Sequence, residues 1–96
     1  MKKANHFSDL SLPDQDTLID HIIFNYKMIP SINYQQTAYG LKARFNHLTG
    51  ADMGYQITSQ CFMEAMAKAG YKVIPAKKDV IPNWHFNVGR VQFMTH

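Results

Sequence analysis

The hydrophobic pattern of this chain changes period once, and that change limits the folds open to it. Up to Gly70 the apolar residues recur at helical spacing. Beyond it they alternate, most clearly in Trp84-His85-Phe86-Asn87-Val88, where Trp84, Phe86 and Val88 share one face. A period near 3.6 belongs to an amphipathic helix, and a period of 2 to a strand with one buried face. Helices followed by a hairpin, within 96 residues, predict one α+β domain. A chain of this length buries only about 60–65% of its unfolded surface, which is enough for one core and leaves little room for an enclosed catalytic cavity.

The first helix is signalled at Ser11-Leu12-Pro13-Asp14, with Ser11 as cap, Pro13 in the first turn, and Asp14 and Asp16 at the positive end of the dipole. Leu18, Ile19, Ile22, Ile23, Tyr26 and Ile29 form its predicted core stripe, and Pro30 its stop. Phe24 and Met28 fall on the opposite side, four residues apart, either as ordinary exposed apolar residues or as the centre of a protein contact. After a connector at residues 31–34, a second helix is expected over about 36–49, burying Ala38, Leu41, Phe45 and Leu48 and stopped by Gly50. Gly40 within it costs about 1 kcal/mol relative to Ala, for which close packing on helix one is a plausible compensation. Tyr55-Gln56-Ile57 is long enough for one short strand. Thr58 or Ser59 then caps a third helix ending at Gly70, with Phe62, Ala65, Met66 and Ala69 inward and Gln60, Glu64, Ala67 and Lys68 outward.

Residues 71–74 read as a strand stopped by Pro75, and residues 75–83 as a loop with two prolines and the basic pair Lys77 and Lys78. The predicted order is helix, helix, short strand, helix, strand, basic loop, strand. That is the order of a winged helix–turn–helix: three helices, a small antiparallel β-sheet and a basic wing. The domain is expected to span residues 11–90, with a flexible amino-terminal arm at 1–10 and a carboxy-terminal tail at 91–96.

Charge is uneven. Residues 1–24 set Lys2 and Lys3 against Asp9, Asp14, Asp16 and Asp20, a net of −2, whereas residues 25–96 carry eight basic against three acidic side chains, a net of +5. A basic body suits a polyanion on one side, and a chance asymmetry of a solvated surface is the alternative. The single cysteine, Cys61, excludes an internal disulfide, no apolar run approaches the roughly 20 residues of a membrane span, and no apolar leader follows Lys2 and Lys3. The expectation is a cytoplasmic protein without membrane association.

Signals for catalysis are weak. His6, His21, His47, His85 and His96 are scattered with no ligand spacing, and His21 and His47 fall on predicted outward arcs. Cys61 falls within helix three, where a buried thiol is inert. No phosphate-binding or dinucleotide glycine pattern is present. Neither a metal nor a cofactor is expected.

The run Ala38-Tyr39-Gly40-Leu41-Lys42, then Phe45, Thr49-Gly50, Tyr55-Gln56-Ile57-Thr58, Phe62, Ala65-Met66 and Ala69-Gly70-Tyr71, closing with Asn83-Trp84-His85-Phe86-Asn87-Val88, resembles a family of small proteins of phages and integrative mobile elements. Within that family the chain is most similar to the group encoded beside a family A DNA polymerase in staphylococcal cassette chromosomes, over roughly residues 15–90. Where many members have an asparagine-glycine pair at the start of helix three, this chain has Ser59-Gln60. The resemblance implies a winged-helix partner of that polymerase, joining it in a primase-like or replicative activity on single-stranded DNA.

Nucleic-acid contact is therefore assigned to Thr58, Ser59 and Gln60 at the amino end of helix three, Lys68 and Lys72 along it, Lys77 and Lys78 on the wing, and Lys42 and Arg44 on helix two. The centre of the outer face, Glu64 beside Ala67, lacks an arginine to address guanine, which predicts phosphate contacts with little sequence specificity. Tyr39, Tyr55 and Tyr71 are candidates for base stacking or for half-buried core positions. Phe24, Met28, Phe93 and Met94 are the candidate contacts to the DNA polymerase or primase. Two alternatives stand beside this one: a sequence-specific regulator, and a phage-borne interaction module that inhibits a host enzyme.

Overall fold

The computed structural model of the chain describes residues 2–50, 55–77 and 81–89. Their order is β1 (Lys2–Ala4), a 3-10 turn (Phe7–Asp9), α1 (Leu12–Asn25), β2 (Met28–Asn33), α2 (Ala38–Phe45), a π-helical turn (Asn46–Gly50), β3 (Tyr55–Ile57), α3 (Ser59–Lys68), β4 (Val73–Pro75) and β5 (Trp84–Val88). Three helices thus pack with an antiparallel sheet of order β2-β5-β4, and β1 and β3 form a separate parallel pair. The small α+β class expected from the pattern is what is observed.

The starts of α1 and α3 lie where the sequence places them, and α2 starts at Ala38, two residues after the expected Gln36. Ser11 Oγ accepts from the Asp14 N–H at 3.3 Å and Thr58 Oγ1 from the Cys61 N–H at 3.1 Å, each satisfying an end donor of its helix. Thr37 caps α2 in the same way through the Gly40 N–H at 3.2 Å. At the far end of α3, Gly70 adopts φ +97°. There the Tyr71 N–H bonds the Met66 carbonyl at 3.1 Å and the Gly70 N–H the Ala67 carbonyl at 3.0 Å, the paired closure of a Schellman motif.

Helix one is shorter than predicted. It ends at Asn25, whose side-chain amide caps the His21 carbonyl at 2.8 Å, and Met28–Asn33 is a strand instead of a last helical turn and connector. Pro30 is tolerated there because β2 lies at the edge of its sheet. The register moves from Met28 opposite Val88 to Asn33 opposite Phe86, so that Pro30 sits within an irregularity of the ladder. Phe24 and Met28 consequently do not share a helix face. Ile23, assigned to the core stripe, is 61% exposed; Leu18 and Ile22 are buried, Ile19 packs half-buried against the core, and Tyr26 is buried just beyond the helix end.

Helix two also departs from expectation after Phe45. The widening to a π turn swings Leu48 out, and it is 55% exposed while Ala38, Leu41 and Phe45 are buried. Gly40 is exposed, and a Cβ there would meet only Thr37 Oγ1 at 3.5 Å, so close packing on helix one is not the reason for this glycine. His21 is half-buried rather than outward. Its ring stands edge-on to Phe45 at 4.9 Å and Tyr26 at 5.6 Å, and burial holds its pKa below the ordinary value.

Residues 1–10 were expected to be a loose arm because they lack periodicity, yet β1 pairs with β3 in parallel and Ala4, Phe7 and Leu10 are buried. Irregular backbone carries no period, so apolar residues spaced by turns escape a periodicity test. The core joins Leu18 and Ile22 of α1, Leu41 and Phe45 of α2, Phe62 and Met66 of α3, and Phe86 and Val88 of β5. Phe62 stands edge-on to Phe86 and to Tyr26, each at 6.3 Å between ring centroids. Asn87 is the exception among these apolar neighbours. It is 3% exposed, accepts from the Lys72 N–H at 2.6 Å and donates to the Ile29 carbonyl at 2.9 Å, so one side chain ties β2 to the segment that leads into β4.

Candidate nucleic-acid interface

A groove of about 310 Å³ opens where four parts of the chain converge. Thr58, Ser59 and Gln60 supply the amino end of α3, Tyr39 and Lys42 the first turns of α2, Lys3 and Asn5 the β1 segment, and Ile81, Pro82 and Trp84 the approach to β5. None of the described residues lining it is acidic. The positive end of the α3 dipole and the ammonium groups of Lys3 and Lys42 therefore favour an anion in the groove.

Local hydrogen bonds fix these parts to one another. Asn83 Oδ1 accepts from the Tyr39 N–H at 3.1 Å and from the Trp84 N–H at 2.9 Å, which locks the amino end of α2 to β5. Thr58 receives β1: its N–H donates to the Ala4 carbonyl and its hydroxyl to the Asn5 carbonyl, both at 3.1 Å. Asn46 pairs through both side-chain atoms with the backbone of Ile57, at 2.9 and 3.0 Å, and so places the strand that feeds α3. The groove walls are held by backbone-directed bonds rather than by loose surface side chains.

Tyr39 is the most exposed aromatic side chain in the groove, at 60%, and the Lys42 ammonium lies 4.5 Å from its ring centroid. The ammonium lies over one face of the ring, a cation–π contact that sets a positive charge against an exposed aromatic. The other two tyrosine candidates do not serve. Tyr55 is half-buried against the core, and Tyr71 is buried with its hydroxyl donating to the Tyr26 carbonyl.

The remaining assigned residues scatter. Arg44 is half-buried, near enough to Tyr26 to act on its phenol electrostatically, and does not line the groove. Lys68, the last residue of α3, and Lys72 beyond it are exposed at the opposite end of the helix, about one helix length (~15 Å for ten residues) from Thr58. Lys77 lines a different groove, and Lys78, Phe93 and Met94 lie outside the described residues. Of the assigned partner contacts, Phe24 is 90% exposed beside Ile23, whereas Met28 is 47% exposed on β2. Lys3, Asn5 and Trp84 were missed as groove residues; the first two lay in the supposed arm, and Trp84 was taken for core.

The outer face of α3 is partly occupied by the chain itself. Glu64 accepts from the Phe7 N–H at 2.8 Å, from the Gln60 amide at 3.2 Å and from His6 Nδ1 at 3.0 Å, while the Lys68 ammonium lies 5.9 Å from the Phe7 ring centroid. Helix three is therefore open at its amino end and covered along the middle of its outward side. Cys61 is fully buried, with its pKa pushed up to about 12 by burial and by the carboxylates of Glu64 and Asp9, and is no nucleophile. Among the described residues no three His, Cys, Asp or Glu side chains come together as metal ligands, and no helix is long and apolar enough to cross a membrane. Compared with known proteins, the chain matches no family model, no curated protein and no solved structure.

Proposed function

We propose that this chain is a non-catalytic accessory replication protein of a mobile genetic element, contacting single-stranded DNA with little sequence specificity while holding a DNA polymerase or primase. The observation that carries the reading is the groove in which Tyr39, Lys42, Lys3, Trp84 and the amino end of α3 converge without an acidic lining residue. The observed order departs from the expected one, since a strand, β2, falls between α1 and α2 and Tyr55–Ile57 pairs with β1 outside the main sheet. Leaving aside β1 and β3, the order helix, strand, helix, helix, hairpin, with β2 paired to β5, supports a winged helix. In this reading the basic loop expected at residues 75–83 serves as the wing.

Covering of the α3 outer face by His6 and Phe7 weighs against a regulator that reads bases in the major groove, since such readers lay that face against base edges. Phosphate contact and base stacking need only the open amino end. The apolar pair Ile23 and Phe24 supports the partner half of the proposal, because side chains of that size at 61% and 90% exposure lie well apart from the groove residues in the sequence and on a separate helix. A phage-borne inhibitor of a host enzyme is the competing use of the same apolar pair.

The test is fluorescence anisotropy against single-stranded, random duplex and palindromic DNA. The reading expects the single strand to bind most tightly, with Tyr39→Ala weakening it at least about fivefold. Preference for one palindrome would support the regulator instead, and absence of DNA binding at low salt, with or without the polymerase, would remove the DNA half.

A further inference from the structure

A second groove, of about 570 Å³, is lined by Tyr34, Ile74, Pro75, Lys77 and His85. It adjoins the first through β5. Trp84 lines one groove and His85 the other, as consecutive strand residues point to opposite sides. The seam between them is hydrogen-bonded on both sides: His85 Nδ1 donates to the Gln36 carbonyl at 3.0 Å, and Asn83 receives the Tyr39 N–H at 3.1 Å. Tyr34 and Tyr39 thus stand on either side of one short, fixed piece of backbone, 66% and 60% exposed.

We infer that the second groove is a base-stacking subsite for the same DNA single strand that occupies the first, with Tyr34 as the platform and Lys77 as the phosphate contact. This inference rests on the proposed single-strand binding. Three observations support it. Tyr34 is an exposed aromatic whose ring is braced edge-on by His85 at 5.3 Å, so its orientation is set before a base arrives. His85 is itself anchored: a carbonyl partner requires the proton on Nδ1, which leaves Nε2 of the neutral ring an acceptor. Lys77 is exposed, and no described lining residue is a carboxylate, so the charge favours an anion such as a phosphodiester over a neutral or cationic occupant.

Spacing is compatible with one strand. Tyr39 lies five positions after Tyr34, so their Cα atoms are at most about 18 Å apart. At about 3.4 Å per stacked nucleotide, that span needs no more than roughly five or six nucleotides.

The experiment titrates the full chain with dT2 and dT8, reading the quenching of Trp84, the single tryptophan, which lines the first groove. Tyr34→Ala and, separately, Lys77→Gln are expected to weaken dT8 at least about fivefold and about twofold while leaving dT2 unchanged; Tyr39→Ala is expected to weaken both ligands. Lys77→Gln, at an exposed turn, keeps the test valid if Tyr34→Ala lowers the folded fraction. Unchanged dT8 affinity in both Tyr34→Ala and Lys77→Gln, with loss in Tyr39→Ala, overturns the second subsite and leaves the single-strand reading standing. Absence of dT8 binding to the unaltered chain overturns both.

Discussion

His6 and Glu64 meet at 3.0 Å across 58 residues of sequence, and the same carboxylate takes the Phe7 N–H at 2.8 Å. The contact folds the amino-terminal segment over the third helix and decides which part of that helix remains accessible. Its strength depends on pH in a direction that the two groups set. The Glu64 hydrogen bond and charge raise the pKa of His6 above 6.5. Burial alone would raise that of Glu64, but hydrogen bonds from His6, Phe7 and Gln60 outweigh it and hold it below 4.5.

The His6 contribution is complete below pH 6.5 and is lost as pH rises through its raised folded value. The Glu64 contribution is complete above pH 4.5 and is lost as pH falls through its lowered one. Amide exchange at Phe7, corrected for intrinsic rate, should therefore be slowest between those limits and accelerate on both sides. Glu64→Ala should remove the pH dependence. A Phe7 amide whose protection is flat from pH 4 to 8 in the unaltered protein would contradict the contact.

Asn87 bridges two segments from a nearly sealed position, and both of its side-chain bonds are to backbone groups. Asn87→Ala leaves the Lys72 N–H and the Ile29 carbonyl without that partner, which is expected to cost about 2–3 kcal/mol in urea unfolding. A loss under about 0.5 kcal/mol would show that neither bond stabilises the sheet.

Two glycines should respond in opposite senses to the same change. Gly70 holds φ +97° at the end of α3, so Gly70→Ala is expected to destabilise by about 1–2 kcal/mol. Gly40 lies inside α2 with only Thr37 Oγ1 at 3.5 Å from a new Cβ, so Gly40→Ala should stabilise by up to about 1 kcal/mol. Thermal melts of the two variants read both signs, and destabilisation by Gly40→Ala would mean that α2 packs differently.

Phe24 is 90% exposed, so Phe24→Ser should change stability by no more than about 0.5 kcal/mol. Under the proposed function the same variant should lose capture of the polymerase or primase in a pull-down. Undiminished capture would take the partner contact off α1.

The parts legible in the sequence were those where one local rule dominates. Caps at Ser11 and Thr58, the stop at Gly70 and the alternation of Trp84–Val88 were each readable from a few residues. The strand Met28–Asn33 was not, because Ile29 continues the spacing of the α1 stripe and only pairing with β5 selects the extended state. The π turn after Phe45 escaped for the same reason: one added residue per turn leaves the local pattern intact while moving Leu48 to the surface. In the site, Thr58, Ser59, Gln60 and Lys42 were legible as helix-end and cationic residues. Lys3 and Asn5 became neighbours of them only through the parallel pairing of β1 with β3, a long-range contact that composition does not encode.

The most direct measurement is the salt dependence of single-strand affinity in the unaltered protein and in Lys42→Gln, followed by Trp84 fluorescence. Phosphate contact by Lys3, Lys42 and their neighbours predicts a log–log slope that falls by about 0.7 when one contact is removed, with weaker affinity at every salt concentration. Equal slopes and equal affinities in the two proteins would contradict the groove as a site for nucleic acid.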